Sequence, residues 1–75
     1  MSEIMSPREY KRWFARVLKQ ARKSRRHTQA DLAEFLEKRR PTISEWENGK
    51  GLPSLYEFYL IEELYGRAYF RPGVI

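Results

Sequence analysis

The chain has no cysteine and a single histidine, His27, in its 75 residues. Without thiols there is no disulfide framework and no thiolate metal site, and one imidazole cannot build a zinc centre. The fold must therefore hold by packing alone. No apolar run approaches the roughly 18 to 20 residues of a membrane span, and the opening MSEIMSPREY lacks the basic segment followed by an apolar stretch that marks a secretory leader. A soluble, cytoplasmic protein with no membrane partner is the expectation. No nucleophile with its base, carboxylate pair or metal cluster is visible, so neither an enzyme nor a cofactor is expected. An RNP-type strand pattern is also missing, which argues against RNA as the target.

Acidic residues are the scarcer charge, ten against fifteen Lys and Arg, which leaves a formal net charge of +5 and a pI near 9.8. That balance points to a polyanion or an anionic membrane surface, and charge alone does not choose between them. A chain this short is expected to form one small domain that buries about 60% of its unfolded surface, so every apolar position counts. It carries no internal repeat or low-complexity segment.

After an N-terminal arm, residues 1–6, Ser6-Pro7-Arg8-Glu9 is a helix start: Ser6 can cap, Pro7 suits the first helical position, and Glu9 can reach back to the cap N–H. Over residues 7–25, Tyr10, Phe14, Val17, Leu18 and Ala21 recur at helical spacing with Trp13 at the margin. Arg8, Lys11, Arg12, Arg16, Lys19 and Lys23 lie mostly elsewhere. Such a basic amphipathic helix can lie on anionic lipid, but the helices that follow need its apolar face.

The centre of the chain, residues 28–50, reads as two short helices joined by a tight turn. Thr28 is an N-cap with Asp31 three residues on, a weaker relative of the Ser/Thr…Glu capping box. Leu32, Ala33 and Leu36 share a face, Pro41 fits the first turn of the second helix, and Gly49 can end it in a left-handed conformation. Two helices this short are not stable alone and must pack as a helix-turn-helix pair. The basic run Arg22 to His27 would by itself be a solvated linker. Placed just before the unpaired first-turn N–H groups of the first of these two helices, which starts near Gln29, it makes a phosphate clamp with them.

A last long helix, residues 54–66, follows the loop Lys50 to Pro53. Leu55, Phe58, Ile61 and Tyr65 form one apolar stripe that suffices for a core, and Tyr56, Tyr59, Leu60 and Leu64 form a second that needs another partner. The tail, residues 67–75, adds Tyr69, Phe70, Val74 and Ile75, with Pro72-Gly73 forbidding a long helix. It either folds back over the first helix or meets a second chain.

From about Leu18 to Gly66 the sequence resembles the Cro/repressor-like, or XRE, helix-turn-helix family of transcription regulators. The markers are Arg22, Thr28-Gln29, Leu32-Ala33, Thr42-Ile43-Ser44, Glu47-Asn48-Gly49-Lys50 and Pro53-Ser54, in that order. The resemblance implies an all-α, compact bundle of four to five helices, lambda-repressor-like. Its second short helix would enter the DNA major groove by its N-terminus. It also implies an internal ion pair, Arg22 with Glu47, whose free guanidinium edge is open to a phosphate.

With Ile43 and Trp46 inward, the outward residues are Arg40, Pro41, Ser44 and Glu45, the expected base contacts. Arg40 can bond guanine O6 and N7, Glu45 can accept from cytosine N4, Ser44 can bond a base or a phosphate, and the Pro41 ring can touch a thymine methyl. Gln29, Arg22, Arg25, Arg26, Lys38, Arg39 and Lys50 are the expected phosphate contacts. Tyr56, Tyr59, Leu60, Tyr69 and Phe70 are the expected dimer or partner interface.

Three positions depart from the family pattern: Glu37 stands where glycine is usual in the turn, Lys38 where an apolar residue is usual, and Glu62 where alanine is preferred. The leading expectation is a sequence-specific binder of double-stranded DNA, a repressor acting as a homodimer on a palindromic operator. The alternative is an antitoxin-like adaptor whose last helix and aromatic tail bind a protein partner.

Overall fold

A computed structural model of the chain describes residues 4–71. The tail residues Pro72, Gly73, Val74 and Ile75 and the first three residues of the arm lie outside that range. Four α-helices follow in order, α1 (Pro7–Ser24), α2 (Gln29–Leu36), α3 (Arg40–Glu47) and α4 (Leu55–Tyr65), with a short 3-10 helix over Arg67–Phe70. The described residues contain no strand.

Three of the four helices begin with a reciprocal capping box. The Ser6 hydroxyl accepts from the Glu9 N–H at 3.1 Å while the Ser6 N–H donates to Glu9 Oε1 at 2.8 Å. Ser54 and Glu57 repeat this at α4, at 3.2 and 2.8 Å. At α2 the shorter Asp31 closes both arms as well, at 3.0 and 2.8 Å from Thr28. The cap N–H of Thr28 and the Thr28 hydroxyl hold the Asp31 carboxyl below its ordinary range.

The ends of α1, α2 and α3 share one device, a residue in the left-handed region followed by an N–H bonded five residues back. Arg26 (φ 58) ends α1, with His27 N–H on Arg22 O at 3.1 Å. Glu37 (φ 55) ends α2, with Lys38 N–H on Ala33 O at 2.8 Å, and Gly49 (φ 74) ends α3, with Lys50 N–H on Glu45 O at 2.9 Å. Of the three, only Gly49 adopts this conformation without a Cβ penalty. Glu37 thus makes the turn that glycine usually makes rather than forcing a different one.

The core joins Phe14, Leu18 and Ala21 of α1 to Leu32, Ala33 and Leu36 of α2, Ile43 and Trp46 of α3, and Ile61 and Tyr65 of α4. Ala33 is 3% exposed, so its methyl is all that the crossing of α2 with its neighbours admits.

Four expectations are corrected. Trp13 is buried rather than marginal, while Tyr10 is half-buried. Leu55, placed in the α4 core stripe, is 89% exposed, because it is the first helical residue and lies at the rim of an open cavity beside Tyr10 and Phe14 of α1 rather than in the core. Phe70, expected at a partner surface, is 4% exposed. The 3-10 turn after Gly66 folds the chain back over α1 and sets the Phe70 ring 5.8 Å from Phe14 and 5.6 Å from Phe58. Within the second α4 stripe, Leu60 and Leu64 pack against the core as partly buried residues, which leaves Tyr56 and Tyr59 exposed.

Candidate nucleic-acid interface

The interface is built on a chain of hydrogen bonds that links the starts and ends of three helices. Arg22, near the end of α1, donates from Nε to Glu47 Oε2 at 2.7 Å and from Nη2 to Glu47 Oε1 at 2.9 Å, a bidentate pair with side chains only 8% and 2% exposed. Its third nitrogen, Nη1, donates to the His27 carbonyl at 2.7 Å. The hydrogen bond to Glu47 holds the guanidinium pKa above its ordinary value against the opposing effect of burial.

Every guanidinium nitrogen is therefore engaged inside the protein. The expectation of a free Arg22 edge for phosphate is not met, since three of its five N–H groups bond inside the protein and the side chain is buried.

From Glu47 the network runs outward. Gln29 Nε2 donates to Glu47 Oε1 at 3.1 Å, and Gln29 Oε1 accepts from Arg40 Nη1 at 3.3 Å. The first residues of α2 and α3 are thereby tied to each other and to the buried pair. Gln29 keeps one amide proton and one carbonyl lone pair for an external ligand. No local pattern in the chain predicts this bridge, although Gln29 and Arg40 both open a helix of the packed pair, which is the signal that places them side by side. A second missed contact lies behind the pair: the Tyr65 hydroxyl hydrogen-bonds His27 Nδ1 at 3.1 Å, and burial pushes the Tyr65 pKa up to about 12.

α3 differs from the other helices at its start. Arg39 occupies the cap position, no side chain caps the helix, and its first turn holds no acidic residue. The positive end of the helix dipole and two exposed guanidinium groups, Arg39 and Arg40, thus converge, while Pro41 has no N–H and the Thr42 N–H donates to the Arg39 carbonyl at 3.0 Å. Pro41 and Glu45 are exposed on the same helix and Ser44 is half-buried, its carbonyl and hydroxyl accepting from Asn48 Nδ2 at 2.8 and 3.3 Å.

Arg25, Arg26 and Lys50 are exposed. Among the described residues the ion pairs are Arg22–Glu47, Lys38–Glu57 and Arg67–Glu63, so the cations around α3 other than Lys38 have no acidic partner there. Lys38, expected at a phosphate, reaches 2.6 Å from Glu57 in the α4 capping box. The Glu57 pKa is lowered: burial would raise it, but the Lys38 ammonium and the Ser54 N–H and hydroxyl prevail. No group of three or more His, Cys, Asp or Glu side chains suited to a metal ion occurs among the described residues. No helix there is long and apolar enough to cross a membrane.

A helix pair with an uncapped, cation-flanked second helix on a four-helix scaffold defines a DNA-binding regulatory module. The family model described as Helix-turn-helix matches residues 18–69, and the chain belongs to that family, as a Cro/XRE-like DNA-binding protein. It is a DNA-binding transcriptional regulator of the XRE type. The family is regulatory and not enzymatic. Comparison with the curated proteins and with the solved structures finds no match.

Proposed function

We propose that the chain is a single helix-turn-helix domain acting in the cytoplasm as a repressor, binding a palindromic operator in double-stranded DNA as a homodimer. The observation that carries this reading is the start of α3, the one described α-helix without a side-chain cap, flanked by Arg39 and Arg40. A helix N-terminus without a side-chain cap, beside two guanidinium groups that have no acidic partner among the described residues, suits a polyanion, and α3 is the helix that the family directs into the major groove. Arg40, Pro41, Ser44 and Glu45 are the base-reading residues in this proposal. Gln29, Arg25, Arg26, Arg39 and Lys50 hold phosphates, and Lys38 joins them only by leaving Glu57. Repression by occlusion requires nothing beyond such occupancy.

Dimerisation is supported by Tyr56, 68% exposed, and Tyr59, 48% exposed, whose rings stack 6.3 Å apart on the outer side of α4 beside Leu55. Two copies related by a dyad would place their α3 helices about 34 Å apart, one turn of duplex.

Selection of sites from random duplex DNA tests the reading. A palindromic preferred site bound at roughly 10⁻⁸ to 10⁻¹¹ M is expected. Arg40→Ala should relax the preference at one position of each half-site, whereas Lys50→Ala should weaken all sequences alike. Identical site preferences in the two variants would refute that division. The same exposed tyrosines also favour a second reading, an antitoxin-like adaptor, which predicts a stoichiometric heterologous partner on co-purification in place of a homodimer.

A further inference from the structure

We infer that α1 carries a second phosphate-binding strip, formed by Arg8, Arg12, Arg16, Lys19 and Lys23, which extends the DNA footprint beyond the helix-turn-helix pair; this rests on the DNA-binding reading above. At about 100° per residue these five positions fall within roughly 80° of arc, and at 1.5 Å per residue they run for about 22 Å. All five side chains are exposed. None makes an ion pair with a described residue. Five like charges aligned without partners repel one another, and folding does nothing to offset that cost. An external polyanion does.

The strip is also joined to α3. Arg12, Arg16 and Lys19 line an open groove whose other wall is Glu47, Asn48 and Gly49 at the end of that helix. The Glu47 charge is already matched by Arg22, so the groove presents three free cations beside the outgoing end of the recognition helix. A duplex engaged by the start of α3 has its flanking backbone within reach of that end.

Two other polyanionic surfaces fit less well. An anionic membrane would require the apolar face of α1 for insertion, and Phe14, Leu18 and Ala21 are 1% exposed or less, locked in the core. An acidic protein would be expected to meet an aromatic or aliphatic anchor within the patch, and the strip contains none.

The test compares the wild-type chain with the variant R12Q/R16Q/K19Q on duplexes of about 20 and about 40 base pairs, each carrying the same pair of half-sites one turn apart. Circular dichroism melting serves as the folding control, and R12K/R16K serves as the charge-preserving variant.

The triple variant should keep the preferred site. The dimer loses six cations on the paired half-sites, so its slope of log affinity against log salt should flatten by about 5.4, and the wild type should lose roughly 2,000-fold more affinity than the variant between 50 and 200 mM salt. The wild type should gain affinity on the longer duplex and the triple variant should not, while R12K/R16K keeps the wild-type slope. An unchanged slope with an unchanged length effect in the triple variant overturns the strip and leaves the recognition face intact. Loss of phosphatidylserine vesicle binding in the variant, with duplex binding unaltered, overturns it in favour of a membrane. A wild type with no sequence preference on any duplex overturns the DNA reading itself.

Discussion

Single side chains set the rigidity of the proposed DNA-reading face. Arg22 and Glu47 exchange two hydrogen bonds in near-complete burial, and Glu47 Oε1 also receives Gln29, which in turn receives Arg40. Removing one partner leaves an uncompensated buried charge, so Arg22→Met or Glu47→Leu alone should cost about 3 to 5 kcal/mol in urea unfolding. The double variant R22M/E47L should recover much of that loss, because it leaves neither charge exposed to an apolar core. Additive single losses would contradict the buried-pair account.

Glu37 works in the opposite sense. It holds a left-handed conformation that costs an L-residue about 1 kcal/mol or more, so Glu37→Gly should stabilise the fold. Part of that gain is returned as unfolded-chain entropy, leaving roughly 0.5 kcal/mol, readable as a rise in the urea midpoint without a change in slope.

The helices depend on their starts, because α2 and α3 have eight residues each and would not persist alone. The carboxylates of Asp31 and Glu57 both close capping boxes and both have folded pKa values below their ordinary 3.8 and 4.5. A depressed carboxylate pKa adds stability that is fully present above the unfolded value and is lost as pH falls through the folded one. The melting temperature should therefore decline below about pH 4, and Asp31→Asn should be less stable than wild type at neutral pH with a shallower acid decline. A parallel decline in both proteins would assign the acid loss elsewhere. α3 lacks any such cap, so its stability comes from Ile43 and Trp46, 0% and 5% exposed, rather than from its termini. That is consistent with a start left free for a ligand.

For the molecule as a whole, the proposed dimer rests on the exposed Leu55, Tyr56 and Tyr59. Sedimentation at micromolar concentration should show a dimer with DNA, and Y56S/Y59S should bind as a monomer with lost affinity for paired half-sites and retained affinity for a single one. A monomer with and without DNA in the wild type would count against the dimer. The substitutions lie outside the core, so folding should be preserved.

Helix starts, helix ends and fold class were legible in the residues because caps, prolines, glycines and apolar spacing act within a few positions of the chain. Ser6-Pro7, Thr28, Pro41, Ser54 and Gly66 punctuate it without reference to anything distant. Arg22, Gln29 and Glu47 were legible as markers, but not the order in which their hydrogen bonds connect.

Packing decided the rest. α4 is apolar around most of its circumference, so spacing alone could not say that Ile61 and Tyr65 turn inward while Leu55 turns out. The Phe70 ring joins the core only because the turn after Gly66 brings it back to Phe14. Lys38 finds Glu57, and Arg22 donates to the His27 carbonyl, only once the helices are in place. Contacts between residues distant in the chain depend on where whole helices come to rest, and local propensity carries no information about that.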